Sequence, residues 1–513
     1  MKTQSIFWYL VFILFIISDY AHAQVINVWE HVVNNSGLKT EPWGFEVDSI
    51  GNSWLAISNS SGFNLQHYDS SGNTVWIAGF PVQEWDAEIK SLQKDRYNNL
   101  FLFGLFLDTT NNGTFNPINI IKYDTGGNES WRFTKNENGL AGAMSIDDSG
   151  NVCFIGSTLD TLPLRPFITK LDSGGNLLWS QNYSIPFATL NVDFIGMKLV
   201  NDRNGNIYVC GGLISTFLDS SKIVVLKVSS SGNIIWSQYY PFEPNYSVID
   251  FSNDISHSLL VSTENYDPVS GLISTLVLRY DTSGNLLKAT NFPLRASKIY
   301  KFSNEDYLMV GDVLQYVNAS DSVLWVQTYG NANFKDIFVD NNNSIYVAGM
   351  GSDKFVFIKY SINGNLLWAE HYDDNGLALF GSDARYIRKD ASGNIYVSGF
   401  VKNSDHFDDG HTVTLKYREF NTSIYDFIEQ RNNAFVFPNP ANSSIMVSFR
   451  SKIYTDYTLR LSDISGQTIL VNQGKANYGI NSKVLDLDPL AKGLYFLNVR
   501  VGNESEIIKV VVN

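Results

Sequence analysis

The densest set of side chains able to bind a metal is Asp405-His406-Phe407-Asp408-Asp409-Gly410-His411, two imidazoles and three carboxylates in one heptapeptide. Imidazole and carboxylate suit a divalent cation, and His406, Asp408, Asp409 and His411 are the candidate ligands. Their spacing follows no zinc motif and Gly410 loosens the segment, so the simpler expectation is a solvated polar loop that holds no cofactor. His371-Tyr372-Asp373-Asp374 is a similar set, no stronger. Carboxylate pairs of the kind that cleave glycosidic bonds can be assembled from Asp86, Asp108, Asp160, Glu264 or Asp373. A chain with 51 Asp and Glu offers such pairs by chance. G-x-S-x-G, H-E-x-x-H and the phosphate-binding P-loop are all absent. The expectation is a protein that is not an enzyme.

Aromatic side chains are the other candidates. Trp85, Phe106, Phe115, Phe187, Tyr239, Tyr240, Phe242, Tyr246 and Tyr266 fall in irregular connecting segments. Aromatic faces stack on sugar rings and on proline-rich peptides, so Trp85, Phe115, Tyr240, Tyr246 and Tyr266 are the candidate ligand-binding residues. Packing of the loops against their surroundings is the alternative.

These segments are positioned by a repeat that fills the chain from Val25 to Tyr417. Its fullest copy is Asp336 to Trp368, with two hydrophobic strands around an Asp/Asn-rich turn and two more around an Asn-Gly-Asn turn. Two signatures alternate. One is D-x-x-G-N before an apolar strand, as at Asp48, Asp147, Asp202 and Asp390. The other is K-Y-D-x-x-G-N-x-x-W or a variant, ending at Trp76, Trp131, Trp179, Trp236, Trp325 and Trp368, with Lys288 in the Trp place of the fifth copy. With the strands named A to D, the first signature joins A to B and the second joins C to D. The Asp accepts hydrogen bonds from the backbone ahead of it, and the Gly takes the positive φ that closes the turn. Asn98 and Asn343 replace that Gly in two copies, and Asn tolerates the left-handed region best among the rest. A calcium loop is the competing reading of Asp202-Arg203-Asn204-Gly205-Asn206, but Leu213 stands where an EF-hand needs its acidic twelfth ligand.

Four antiparallel strands every 50 residues or so predict an all-β protein built as a β-propeller, one four-stranded blade per copy. The last copy lacks its D strand. Asn27-Val28-Trp29-Glu30-His31 resembles the D strand near Leu366 to Glu370, so the N-terminal strand is expected to complete the last blade and close the ring. The count is eight blades, or seven if the short copy Ser297 to Trp325 is not a full one. The spelling of Lys359 to Trp368 and Asp390 to Gly399 resembles the bacterial β-propeller repeat family abbreviated SBBP, and that resemblance implies a fold rather than an activity. The A–B and C–D turns share one face of such a ring, which leaves the longer loops, and any ligand site, on the other.

A formal net charge of −14 and no basic stripe exclude nucleic acid as an expected partner. Cys153 and Cys210 have equal parity in the B strands of neighbouring copies, so they face the same way and are expected to stay free thiols. Residues 1–23 read as a secretory signal peptide: Lys2, the apolar run Ile6 to Ile17, and the small-x-small site Ala21-His22-Ala23. No other long apolar run occurs, so no transmembrane segment is expected in the mature chain.

After Tyr417 the repeat stops. Residues 418–434 read as a linker and 435–513 as a small β-sandwich. This tail resembles the type A C-terminal sorting domain of type IX secretion, the Por system. The resemblance rests on Pro438-Asn439-Pro440, Asp463-Ile464-Ser465-Gly466-Gln467, Leu490-Ala491-Lys492-Gly493-Leu494-Tyr495 and Lys509-Val510-Val511-Val512. It implies Gly466, Gly493, Tyr495 and Lys509 as sorting-signal residues and the type IX translocon and sorting machinery as partners. It also implies a secreted or outer-membrane-surface location. Gln467 stands where an Arg is usual. The expected function is a non-enzymatic module that binds an extracellular glycan or protein; the alternative is a polysaccharide hydrolase or lyase.

Overall fold

The computed structural model describes residues 25–33, 40–59, 62–81, 87–106, 117–158, 165–183, 192–215, 221–242, 246–251, 257–267, 270–352, 354–372, 381–402, 410–419, 434–441, 443–451, 454–476, 479–487 and 490–513. Among them there is no helix. They fall into two compact units: residues 31–392 with 396–414, and residues 415–513 with 25–30 and 393–395.

Strand β1 (Val25–Val33) is separated from the sheet that it joins by most of the chain. β2 (Glu41–Val47), β3 (Ser53–Asn59), β4 (Gly62–Tyr68) and β5 (Thr74–Pro81) form an antiparallel meander, the first copy of the repeat. One seven-stranded sheet follows: β6 (Ala87–Lys94), β7 (Leu100–Phe106), β8 (Pro117–Tyr123), β9 (Glu129–Ile146), β10 (Val152–Thr158), β11 (Arg165–Leu171) and β12 (Leu177–Asn182). The fourth copy is β13 (Val192–Asn201), β14 (Ile207–Ser215), β15 (Ser221–Val228) and β16 (Ile234–Phe242). The fifth is β17 (Tyr246–Phe251), β18 (Ser258–Tyr266), β19 (Ile273–Asp281) and β20 (Leu286–Phe292). The sixth is β21 (Ala296–Lys301), β22 (Tyr307–Gly311), β23 (Leu314–Val317) and β24 (Val323–Gln327), short but with all four strands. The seventh is β25 (Asn333–Val339), β26 (Ile345–Gly351), β27 (Lys354–Tyr360) and β28 (Leu366–Tyr372). Last come β29 (Asp383–Lys389), β30 (Ile395–Lys402) and β31 (Gly410–Glu419), and β1 lies beside β31 as the fourth strand, the pairing expected from Trp29 and its neighbours.

Two boundaries differ from the sequence reading. The second and third copies are not separate sheets, because β9 runs unbroken for 18 residues. It pairs with β8 as far as Asn138 and with β10 from Gly139 onward. The pairing slips there, with Pro117 opposite Asn138 and Ile118 opposite Lys135, but the strand runs on through Asn138-Gly139, a pair that in isolation would signal a turn. The linker also shrinks at both ends, since Arg418 and Glu419 still belong to β31 and Ala434 already pairs with Phe449.

The turns have the expected chemistry. Asp48 Oδ1 accepts the N–H groups of Ile50 (3.1 Å) and Asn52 (2.8 Å), and Asn52 Nδ2 donates back to Oδ2 at 2.9 Å. The same clamp recurs at Asp147, Asp202 and Asp281. N–H donors occupy both oxygens, the reverse of what a calcium site requires. Asn98 and Asn343 sit at φ 63° and 58°, as their replacement of Gly demands.

A third glycine of the motif has its own reason. In the innermost strands from β2 to β25 a β-bulge interrupts the pairing, as between Ile89 and Ser91, Ala296 and Lys298, and Phe334 and Asp336. A Cβ on the facing Gly104, Gly311 or Gly349 would meet the bulged strand's carbonyl oxygen at 2.1–2.2 Å. The innermost strands β2, β6, β9, β13, β17, β21, β25 and β29 touch one another in that order, and β29 returns to β2. Cores lie between consecutive copies. Cys153 and Cys210 belong to different cores and are buried free thiols, as their parity predicted.

In the second unit, β32 (Ala434–Phe437), β33 (Ser444–Ser451), β34 (Thr455–Asp463), β35 (Thr468–Ala476), β36 (Gly479–Asp486), β37 (Gly493–Val501) and β38 (Glu504–Val512) form two sheets, ordered β32-β33-β36 and β35-β34-β37-β38. Both contribute to one core that includes Ile445, Leu459, Leu485 and Leu497.

Candidate functional site on the inner strands

The most conspicuous residues of the repeat are spent on holding neighbouring copies together. The indole N–H of Trp76 donates to the Thr125 carbonyl in the next copy (3.0 Å), Trp131 to Ser173 (3.1 Å), Trp179 to Ser230 (3.0 Å), Trp236 to Thr282 (3.2 Å) and Trp325 to Ile362 (3.1 Å). Each ring covers the positive-φ glycine of that turn so closely that a Cβ on Gly127, Gly175 or Gly284 would come within 2.5–2.7 Å of it. The motif lysine packs over the aromatic side chain of the B strand, as Lys122 on Phe101, Lys227 on Tyr208 and Lys359 on Tyr346. Once the latch is assigned, these residues leave no chemistry to exploit.

The candidates from sequence are dispersed. Trp85, Phe115, Phe187, His406, Asp408 and Asp409 lie outside the described residues, as do Asp86, Asp108, Asp160 and Asp373. Tyr246 opens β17. Tyr240 belongs to β16 rather than to a loop and packs, half-buried, against the core of Tyr208 and Phe251. Phe106 ends β7, is buried, and meets the Phe63 ring. Tyr266 ends β18 and is exposed. His411 lies inside β31 and is 3% exposed, so the segment that was expected to be a solvated loop has already become strand there. Glu264 is paired with Arg295 at 3.0 Å, and His371 Nε2 lies 3.0 Å from the Tyr329 hydroxyl. Among the described residues no three His, Cys, Asp or Glu side chains converge as a metal site would require.

The structure does bring together charged side chains that the sequence reading left out, on the innermost strands. β21, β25 and β29 carry Lys298, Lys301, Lys335, Arg385, Arg388 and Lys389 with Asp336 and Asp383, while Glu305 pairs with Lys301 at 2.6 Å and Asp340 with Lys389 at 2.7 Å. Asp336 is fully buried at their centre. It accepts from Arg388 Nη1 at 2.6 Å, from the Ile387 N–H at 3.0 Å, and from Lys298 Nζ. Asp250 of β17 makes the equivalent bond to the Ile299 N–H at 3.0 Å. Burial by itself would raise the Asp336 pKa, but Lys298 and Arg388 outweigh it and hold the carboxyl below its ordinary range. The Lys298 and Arg388 side chains keep 39% and 25% of their exposure, so they face solvent beyond the carboxylate they hold. Glu46 of β2 belongs to the same field. Burial pushes its pKa up despite Arg388 and Lys94. Burial also raises the Tyr386 phenol to about 12. On the same strand Arg385 pairs with Glu41 (3.3 Å) and Asp383 (3.5 Å).

The sequence signal for this cluster was faint. Lys298 and Asp336 follow directly on the bulge in their strands, but they and Arg388 recur in no signature and stand tens of residues apart. Only the packing of consecutive inner strands makes them neighbours.

In the second unit the residues expected to carry the sorting signal have structural surroundings. Gly466, at φ 85°, closes a turn in which Asp463 Oδ1 accepts the N–H groups of Ser465 and Gln467, the clamp of the repeats once more. Gly493 begins β37 and Tyr495 donates its hydroxyl to the Ala491 carbonyl at 2.7 Å. The Lys509 carbonyl accepts from Asn439 Nδ2 at 2.6 Å, which ties Pro438-Asn439-Pro440 to the last strand.

Residues 435–513 match the family model described as "Secretion system C-terminal sorting domain". The tail is a sorting domain. It indicates export by type IX secretion to the cell surface or beyond. No curated protein matches the chain. Among solved structures, that titled "Structure of Dos1 propeller" is 12% identical with a TM-score of 0.54, over 77% of this chain and 95% of its own, and that similarity places the chain among β-propeller folds. The polysaccharide lyase Uly1 (10% identity, TM-score 0.40, 74% and 90% covered) and puromycin hydrolase (11%, 0.41, 71% and 59%) are more distant and add nothing on function.

Proposed function

We propose that the chain is an exported eight-bladed propeller that binds an acidic extracellular ligand, a uronate-bearing glycan foremost, at the cations of its inner strands. The carrying observation is the pair Lys298 and Arg388, both fixed by the buried Asp336 and both partly open to solvent, on the inner strands of a chain whose formal charge is −14. Arg pairs with a carboxylate through two parallel hydrogen bonds, and a cation already fixed by a buried acid loses little freedom on binding. Eight blades follow if the seven-stranded sheet is two blades that share β9. The two sheets of the tail are read as a sandwich, residues 1–23 as a signal peptide, and the product as secreted or surface-displayed. On this reading the protein is a binding module and not an enzyme.

Acidic and neutral polysaccharides immobilised side by side test the proposal. The mature chain should be retained on the acidic set only, and retention should fall at least tenfold for Arg388→Lys with Lys298→Gln, or in 0.5 M salt, since screening weakens exposed pairs. Equal retention on neutral sugars would defeat it. The alternative, a lyase or hydrolase, draws on one observation: Glu46 and Asp336 share a field in which one pKa is raised and the other lowered, the arrangement an acid–base pair needs. New reducing ends that vanish with Glu46→Gln would favour it.

A further inference from the structure

The sheet β35-β34-β37-β38 has one face in the core and one outside. Tyr457, Leu459 and Leu461 of β34, Tyr495, Leu497 and Val499 of β37, and Val510 and Val512 of β38 are buried. The residues between them point the other way, as strand alternation requires. The register assembles that outer face: Arg460 lies across from Val471 on one side and Asn498 on the other, Asn498 across from Ile507, Phe496 across from Lys509, and Arg500 one step further along β37.

Two features of this face are unusual. Ile507, Val471 and Phe496 are 65%, 49% and 39% exposed, where a solvated antiparallel face ordinarily alternates to polar residues. The charges around them are almost all of one sign. Arg460, Arg500 and Lys509 are exposed. The carboxylate of matching parity, Asp456, is already paired with Lys475 at 2.8 Å. Glu504 and Glu506 of β38 have the opposite parity, and Glu506 accepts the Ala434 N–H at 3.0 Å. A cationic, apolar sheet face on a chain of formal charge −14 is not needed for solubility. Exposed apolar groups rimmed by charges of one sign mark an interaction surface, and complementarity fixes the sign of the partner.

We propose that this outer face, centred on Arg460, Arg500, Lys509, Val471, Phe496 and Ile507, is where the sorting domain docks, and that its occupant is an acidic, partly apolar protein surface of the secretion machinery. This rests on residues 435–513 being a sorting domain. The machinery reads flat strands and their side chains, while Gly466, Gly493 and Tyr495 keep the sheet in register.

The test uses the full chain in a cell that carries the export system, with extracellular and cell-retained protein measured in parallel. Three variants are compared: the charge reversal Arg460→Glu with Arg500→Glu and Lys509→Glu, the apolar variant Phe496→Ser with Ile507→Ser, and deletion of 435–513. Protease resistance of the retained protein checks that each point variant folds. The reversal should lower extracellular protein at least tenfold and the apolar variant severalfold, while Arg460→Lys with Arg500→Lys is exported normally. Retention of the deletion with normal export of a folded reversal overturns the docking face and leaves the sorting role intact. Export of the deletion removes the sorting role and the proposal with it. Loss of binding to phosphatidylglycerol vesicles by the reversal, with export unchanged, would assign the face to lipid and also overturn the proposal.

Discussion

The junction between the fourth and fifth copies and the junction between the fifth and sixth perform the same task by opposite chemistry. At the first, Trp236 lies over Gly284 and donates to the Thr282 carbonyl. At the second, Lys288 stands in the Trp place and donates to the Ser320 carbonyl at 2.5 Å, while Asp321 stands in the Gly place at φ 58°. The acid accepts Arg279 Nη2 at 2.8 Å and the Tyr307 hydroxyl at 3.1 Å, and Lys288 approaches it at 3.6 Å. Glu305 also replaces a turn glycine, at φ 71°, and holds Arg279 (3.1 Å) and Lys301 (2.6 Å). Both non-glycine residues bear a left-handed backbone that costs about 1–2 kcal/mol. The motif departs from its spelling at linked positions, Trp with Gly in one junction and Lys with Asp in the other, so the repeat conserves the contact and not the residues.

The comparison can be broken most forcefully at Arg279. Arg279→Met leaves Asp321 and Glu305 short of their main partner in a buried setting, and a loss of about 3–5 kcal/mol is expected in urea denaturation. A smaller loss would mean that water relieves the two acids. Trp236→Ala should cost less, about 2–3 kcal/mol, because the ring is only half-buried and its removal orphans no charge. Gly284→Ala should cost about 1–3 kcal/mol, since its Cβ would sit 2.7 Å from the indole at φ 90°. The exchange itself is a finer test. Lys288→Trp alone should destabilise, because Asp321 occupies the place that the ring needs. Combined with Asp321→Gly, it should recover about 1 kcal/mol relative to the sum of the single variants, measured as a double-mutant cycle.

The smallest effect concerns pH and a different seam. Glu370 on β28 has an oxygen with no hydrogen-bond partner among the described residues, and burial raises its pKa from 4.5 to about 8. A folded-state pKa above the unfolded one gives stability that is complete below about pH 4.5 and is lost as the pH rises towards and past 8. The melting temperature of Glu370→Gln should therefore gain on the parent between pH 5 and 9; parallel curves would show the carboxyl to be hydrated in solution.

Much of this fold could be read in advance, for local reasons. An Asp that clamps its own turn, a Gly or Asn at positive φ and a Trp nine residues after the motif lysine act within one copy or on the next, so each copy restates them. The unbroken β9 was missed because Asn138-Gly139 reads as a turn, and only the pairing on both sides shows that the strand runs through it. His411 and Tyr240 were placed in loops because a polar or aromatic stretch after a strand does not show where pairing ends. The Asp336 cluster was not legible at all, since which side chains of β21, β25 and β29 face one another is set by how the inner strands of consecutive copies pack, and no repeated signature marks those residues.

By itself, the sequence determined the all-β class, the repeat with its turns and latches, the N-terminal strand that joins the last sheet, and the sorting tail, because each is spelled in a short local stretch that can be recognised wherever it stands. The tertiary structure decided which charges face one another on the inner strands, that the fifth and sixth copies are joined by an ionic latch, and which face of the sorting domain is cationic. Those depend on register and closure, which set the distance between residues that the chain keeps far apart.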